Sequence, residues 1–142
     1  MPTPPARPLD AYAFHVTEKL RYGDTDRQGH INNAVYATLS ECARTAFLSD
    51  REDRFAPPGT DFVIVRLAID FRRELLWPGT VEIGTGVSRI GNKSMTLEQG
   101  IFREGELAAS VENVMAIMDT ETRRAIPIPA ATRARVEPFL LW

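Results

Sequence analysis

Apolar and polar residues alternate along residues 14–22 (FHVTEKLRY), placing Phe14, Val16, Leu20 and Tyr22 on one side, and this period of two predicts a strand. After residue 32 the period changes. Val35, Tyr36, Leu39, Ala43, Ala46 and Phe47 recur at helical intervals, which predicts a helix over 33–48. Asn32 or Asn33 supplies its N-cap, the side-chain oxygen accepting from an otherwise orphaned N–H. Ala34, Ala37 and Cys42 are also small or apolar, so the helix is expected to be covered over more of its circumference than usual, with Cys42 buried. Residues 49–61 (SDREDRFAPPGTD) read as a loop, charged and then Pro-Pro-Gly. The rest is mostly strand. Val63, Val65, Leu67, Ile69 and Phe71 alternate with Ile64, Arg66, Ala68, Asp70 and Arg72. The turn WPGT (77–80) leads into a strand over 81–90, and RIGNKS (89–94) leads into another over 95–103. REGE (103–106) predicts a tight hairpin centred on Glu104 and Gly105. Residues 107–119 are long for one strand, so a bend or bulge is expected near Asn113, and a short helix over 130–137 closes the chain.

This order is strand, long helix, then strands joined by short turns, which makes neighbouring strands antiparallel. A helix with so wide an apolar surface needs a curved sheet to cover it, so the fold class is α+β: about five antiparallel strands wrapped around one long central helix. At 142 residues the chain is read as one domain, residues 13–142, able to bury about two-thirds of its unfolded surface. Residues 1–12, opening with MPTPPARPLD, read as a flexible tail, neither a signal peptide nor a membrane anchor. The formal charge of −2 gives no reason to expect a nucleic-acid or membrane partner. Cys42 is the single cysteine, which excludes an intrachain disulfide or a thiolate zinc cluster and fits a reducing, cytoplasmic setting; no metal site is expected. A small open sheet also leaves unpaired edges, and pairing two of them gives a two-fold dimer.

The chemistry concentrates in YGDTDRQGHINNAVY (22–36), directly before the helix. A helix start leaves backbone N–H groups without intrahelical partners at the positive end of its dipole. Aimed at a carbonyl oxygen, one such donor is worth roughly a hundred- to a thousandfold in rate for acyl transfer. Gly29, without a Cβ, permits close approach of a substrate to its backbone. A carboxylate just upstream, Asp24 or Asp26, is suited to attack the carbonyl or to take a proton from water. Together these groups point to hydrolysis of an activated ester.

The same stretch, YGDTDRQGHINNAVYATLSECAR, resembles the signature of the hot-dog-fold acyl-CoA thioesterases, the 4-hydroxybenzoyl-CoA thioesterase-like family. The pattern is carried by Asp24, Asp26, Gly29, His30, Asn32, Asn33, Tyr36, Glu41 and Arg44, and the likeness extends over about residues 14–129. The resemblance implies hydrolysis of acyl-CoA or acyl-carrier-protein thioesters without a cofactor. Asp26 is then the nucleophile or general base, and amides near His30 and the helix start polarise the carbonyl. His30 matches a histidine that plant acyl-carrier-protein thioesterases place four residues after the aspartate. Asn33 stands where some bacterial members carry histidine, which makes it a candidate second catalytic residue, although capping also accounts for it. Tyr22 and Tyr36 fit core positions and offer hydroxyls to the site. RIGNKS resembles the loop beside the pantetheine arm, with Arg89 and Lys93 for phosphates and Asn92 or Ser94 for amides. The resemblance also implies a homodimer or homotetramer with active sites between subunits.

Local structure offers competing explanations. Asp24 reads as a turn residue, Glu41 and Arg44 as an ion pair three residues apart on one helix, and His15 as exposed. Two other functions share the fold's outline. An enoyl-thioester hydratase or dehydratase would carry Gly-Asp-x-Asn-Pro-x-His, from which Gly23-Asp24-Thr25-Asp26-Arg27 departs; a non-catalytic acyl-thioester binder would not need Asp26 with His30.

Overall fold

The computed structural model describes residues 6–49 and 54–141. Strand β1 (Phe14–Leu20) is followed by helix α1 (Asn33–Leu48) and strands β2 (Thr60–Phe71), β3 (Gly79–Ile90), β4 (Ser94–Arg103) and β5 (Glu106–Asp119). A short helix, α2 (Ala130–Val136), and a 3-10 turn over Glu137–Phe139 come last. The strands form one antiparallel sheet in the order β1-β3-β4-β5-β2, curved around α1. The helix occupies the residues its apolar spacing predicts. Asn32 is the cap, its Oδ1 accepting from the Ala34 amide at 2.9 Å, and Asn33 is the first helical residue.

Helix α1 buries one face only: Tyr36, Leu39, Ser40, Ala43, Arg44, Phe47 and Leu48. Tyr36, Leu39 and Ala43 pack with Leu20, Val81, Ile83 and Ile101, and Phe47 and Leu48 pack with Phe55, Val87, Leu97 and Ile117. Ala34 and Cys42 lie exposed on the other face, against the expectation of a buried cysteine and of a helix covered over more of its circumference than usual. The physical reason is the position of β2 at the sheet's edge, where no further strand continues the wrap around the helix.

Three bulges set the sheet's curvature. The register of β2 on β5 shifts between Ile64 and Arg66, leaving Val65 as the extra residue. That shift breaks the expected alternation: Phe62 packs into the core before it and Ile69 after it. In β3 the extra residue is Ser88, opposite the step from Leu97 to Thr96. In β5 it is Ala108, not a residue near Asn113, which pairs regularly with Leu97 and Leu67. The hairpin between β4 and β5 has φ of 50° at Glu104 and 80° at Gly105, the left-handed pair a tight two-residue turn requires.

The expected flexible tail is partly folded onto the sheet, and residues 1–5 of it lie outside the described residues. Leu9–Ala11 form a 3-10 turn, and Tyr12 is buried, its hydroxyl donating to Glu98 Oε2 at 3.0 Å. Arg7 Nε reaches the same oxygen at 2.6 Å. Tyr12 fits because residue 84 is glycine: a Cβ there would stand 2.6 Å from the Tyr12 ring.

Beneath the helix lies a buried polar network that the apolar pattern does not announce. Gln99 Oε1 accepts from Ser40 Oγ at 2.5 Å and from Asn113 Nδ2 at 2.8 Å. Gln99 Nε2 donates to the Ser40 carbonyl and to Thr85 Oγ1, both at 3.1 Å. Arg44 Nη1 donates to Asn113 Oδ1 at 2.7 Å. A buried network of this kind is stabilising only while each member keeps its partner. Gln99→Leu strands several of these groups, so urea unfolding should show a loss of about 2–3 kcal/mol. A loss under about 0.5 kcal/mol would mean that water or repacking replaces those bonds.

Candidate active site

The loop between β1 and α1 is held by its own backbone. Leu20 ends β1 opposite Gly79, and Tyr22–Asp24 form a 3-10 turn. The Asp24 carboxylate is buried and accepts from the Arg21 amide at 2.8 Å and from the Arg21 guanidinium at 2.8 and 3.2 Å. Burial pushes this carboxyl up, but the hydrogen bonds and charge of Arg21 outweigh it and hold Asp24 below the ordinary aspartate range. The Asn32 amide donates to the Asp24 carbonyl at 2.9 Å, and the Ile31 amide to the Leu75 carbonyl at 2.7 Å. Thr25 pairs with Ile31, and His30 pairs with Leu76. Residues 24–32 are thereby stitched to the segment preceding β3.

Asp26 sits inside this frame, half-buried. Its Oδ1 accepts from the amides of Gln28 at 2.8 Å and His30 at 3.1 Å, and its own amide donates to the His30 carbonyl at 2.7 Å. Gly29, at φ 81°, makes the sharp reversal between them. Among the described residues no hydrogen bond engages Asp26 Oδ2. The amides expected to face a carbonyl are therefore partly committed: those of Gln28 and His30 serve Asp26, and that of Ala34 serves the Asn32 cap. The N–H of Asn33, at the helix start, makes no hydrogen bond among the described residues.

A groove of about 370 Å³ opens here, lined among others by Asp26, Gln28, His30, Asn33 and Tyr36, and by Phe71 and Glu74 from the far end of β2 and beyond. His30 Nε2 lies 3.0 Å from Glu74 Oε2, a partner that no local signal in the sequence announces. Tyr36 is buried, stacks edge-on against Phe71 at 5.0 Å and donates its hydroxyl to the Arg73 carbonyl at 3.2 Å. Burial pushes its phenol up, so it stays a proton donor at neutral pH. Among the described residues no cluster of three or more His, Cys, Asp or Glu side chains could hold a metal ion.

Other expected site residues lie elsewhere. Tyr22 is not a core residue: it is 74% exposed and meets Trp77 edge-on at 5.3 Å, because the strand stops at Leu20 and the 3-10 turn swings it outward. Arg89 near the end of β3, Asn92 and Lys93 in the β3–β4 turn and Ser94 at the start of β4 lie at the end of the sheet opposite Gly79. The 12 residues of β3 span the distance between the two ends, about 35 Å. Within one chain they do not meet Asp26. The C-terminal segment braces their turn, the Ile128 amide donating to the Asn92 carbonyl and Arg133 Nη2 to the Gly91 carbonyl.

A five-stranded antiparallel sheet curved around one helix, with a polar groove at the helix mouth, is the hot-dog architecture of thioesterases. The chain belongs to the Thioesterase-like superfamily, whose family model matches residues 20–136. The long-chain acyl-CoA thioesterase FadM of Escherichia coli (strain K12) is 28% identical over 126 residues, covering 86% of this chain and 96% of that protein. The chloroplastic acyl-[acyl-carrier-protein] hydrolase FATB3 of Cuphea viscosissima is 27% identical over 109 residues, 73% of this chain. This chain spans only about a quarter (26%) of that plant relative. A thioesterase from Thermus thermophilus, complexed with coenzyme A and Zn, superposes with a TM-score of 0.79 at 28% identity, covering 92% of this chain and 96% of that one.

The Asp24 clamp has a pH signature. A carboxyl held low in the folded state stabilises above its unfolded value, and this contribution disappears as the pH falls through the folded value. Unfolding free energy should therefore decline on acidification below about pH 4, and the decline should be shallower in Asp24→Asn. Identical pH slopes in the two proteins would show that the Arg21 contact contributes no linkage.

Proposed function

We propose that this protein hydrolyses acyl-CoA or acyl-carrier-protein thioesters to the free acid and thiol, with Asp26 as the reacting carboxylate. The observation that carries this reading is the split use of the Asp26 side chain: Oδ1 is fixed by two loop amides, while Oδ2 is uncommitted on a residue lining the groove. The family membership and the likeness to a coenzyme A-complexed thioesterase support it.

As general base, Asp26 takes a proton from water as the water oxygen bonds to the acyl carbon. The carbonyl electrons move onto oxygen, where in this reading the Asn33 N–H and the positive end of α1 stabilise the developing charge. Collapse breaks the carbon–sulfur bond, and the thiolate leaves with the electron pair and acquires a proton. As nucleophile, Oδ2 forms an anhydride that water opens, with the same net stoichiometry. The thiolate is a good leaving group, so the step needs no metal. In this reading His30, paired with Glu74, and Asn33, both lining the groove, position the water or the acyl oxygen.

The site is completed by a second copy of the chain. Strand β2 is an edge, and along it Ile64, Val65, Leu67 and Phe71 are 40–59% exposed. Antiparallel pairing of two such edges reverses one copy, setting the Thr60 end of its β2 beside the Phe71 end of the other. The β3–β4 turn lies at that same Thr60 end, since Ser94 and Thr60 pair with Ala116 and Asp119 of β5. Lys93 of the partner subunit then approaches the groove that it cannot reach within its own chain.

Asp26→Asn keeps an oxygen to accept from Gln28 and His30, so the loop should persist while thiol release from acyl-CoA falls by at least about a hundredfold. A variant with parental turnover would eliminate Asp26 as the reacting group. Separately, Val65→Lys on the exposed edge should shift the protein from dimer to monomer in sedimentation and reduce turnover with it. A monomeric variant with full activity would overturn the shared site.

A further inference from the structure

Among the described residues the exposed large apolar side chains fall into two groups. Ile64, Val65, Leu67 and Phe71 belong to the β2 edge, where the proposed dimer covers them. Tyr22, Leu76 and Trp77 make the other group, 74%, 48% and 43% exposed, and pairing through β2 leaves it bare. It lies beside Leu20 and Gly79, in β1 and β3, and β1 is the edge of the sheet farthest from β2. The Tyr22 and Trp77 rings meet edge-on at 5.3 Å, an arrangement in which each keeps a face that the other does not cover.

This patch opens onto the Asp26 groove. A depression of about 390 Å³, lined among others by Arg73, Glu74, Leu76 and Arg103, shares Arg73 and Glu74 with that groove. The Asp26 amide bonds to His30, His30 pairs with Leu76, and Trp77 follows, so the Asp26 and Trp77 Cα atoms lie at most about 15 Å apart. The pantetheine and diphosphate of a coenzyme A thioester span that distance.

The patch is also held rigidly beside a cation. Arg103 grips the backbone on both sides of Trp77, Nη1 donating to the Leu76 carbonyl and Nη2 to the Pro78 carbonyl. Glycine at residue 79 makes room for this, since a Cβ there would fall on the Arg103 guanidinium. Both acceptors are neutral, and among the described residues no carboxylate forms an ion pair with Arg103, so its positive charge stands uncompensated beside the rings. Two carboxylates of the depression are committed elsewhere, Glu106 to Arg73 at 2.7 Å and Glu74 to His30 at 3.0 Å; Glu104 is exposed at the hairpin tip.

We propose that Tyr22 and Trp77 form a stacking platform for the adenine of a coenzyme A thioester, with Arg103 meeting its phosphates and the pantetheine arm following the shared depression to Asp26. This rests on the thioester-hydrolase reading and names acyl-CoA as its substrate class, because a carrier-protein thioester has no base to stack. Purines stack on exposed aromatic faces, and a guanidinium fixed alongside meets phosphate oxygens in its own plane. The platform stands at the opposite end of the sheet from the chain's own Arg89 and Lys93, which the family resemblance offers for phosphates.

The test compares octanoyl-CoA with octanoyl-pantetheine, the same thioester without the nucleotide. The parent should show a kcat/KM ratio of about ten or more in favour of octanoyl-CoA. Trp77→Ala should bring that ratio close to unity, Trp77→Phe should keep most of it, and Arg103→Gln should lower it several-fold. A parent that treats the two substrates alike, or a Trp77→Ala protein with the parental ratio, overturns the proposal. So does a Trp77→Ala protein that loses both activities equally, because Trp77 would then only brace the loop. A ratio that survives Trp77→Ala and collapses in Lys93→Ala overturns it too, and assigns the nucleotide to the β3–β4 turn. Calorimetric titration of both ligands into Asp26→Asn and Asp26→Asn/Trp77→Ala separates this inference from the hydrolytic one. Tighter octanoyl-CoA binding that depends on Trp77, in a parent that releases no thiol, would sink the hydrolase reading and leave the platform standing. Equal binding of both ligands in a parent that does release thiol would do the reverse.

Discussion

The hydrogen bond from the Ile31 amide to the Leu75 carbonyl ties the loop before the helix to the segment before β3, and the site is arranged around it. A chain entering a buried helix must satisfy its backbone polar groups without the help of a regular strand. Here the short pairings of Thr25 with Ile31 and His30 with Leu76 do so, together with the Asn32 amide on the Asp24 carbonyl. Because the loop is fixed from both sides, two aspartates two residues apart acquire different tasks. Asp24 turns inward and spends both oxygens on Arg21; Asp26 spends one oxygen on the loop and keeps the other at the groove. Environment, not residue type, separates the carboxylate committed wholly to the fold from the one with an oxygen to spare.

The second determinant is the incomplete cover of α1. Its buried face meets the sheet through apolar layers at both ends and the Ser40–Gln99–Asn113 network in the middle. Its other face looks past the edge strand β2, whose bulge at Val65 turns the apolar side chains from the even to the odd positions. The depression of about 410 Å³ between helix and edge, lined by Ala37 and Arg44 on one side and Ile64 and Leu67 on the other, is a consequence of that geometry. It also explains why Arg44 is buried and yet lines a depression on one side.

How far the sequence carries an argument differs from one residue to the next. Helix α1 was legible to the residue because a 3.6-residue apolar period and an asparagine cap are local signals, and the Glu104–Gly105 hairpin because its turn chemistry is equally local. That residues 22–36 would gather polar groups at the helix mouth was legible from their polarity beside an apolar helix. Tyr22 misled because alternation alone does not say where a strand stops, and Cys42 because a small residue suits a buried face and an exposed one alike. The bulge sought near Asn113 falls at Ala108, since register is a property of two strands and is not written in either one.

By itself, then, the order of residues determined the α+β class, the helix, the hairpin and the polar loop at the helix mouth, because each depends on neighbours close along the chain. Only the tertiary structure decided that Glu74 would meet His30, that the Asp26 carboxylate would have one oxygen to spare, and that Arg89 to Ser94 would stand at the other end of the sheet. Those outcomes depend on which distant backbone segments share hydrogen bonds, and long-range pairing is fixed by the packing of the whole sheet on its helix rather than by any local pattern.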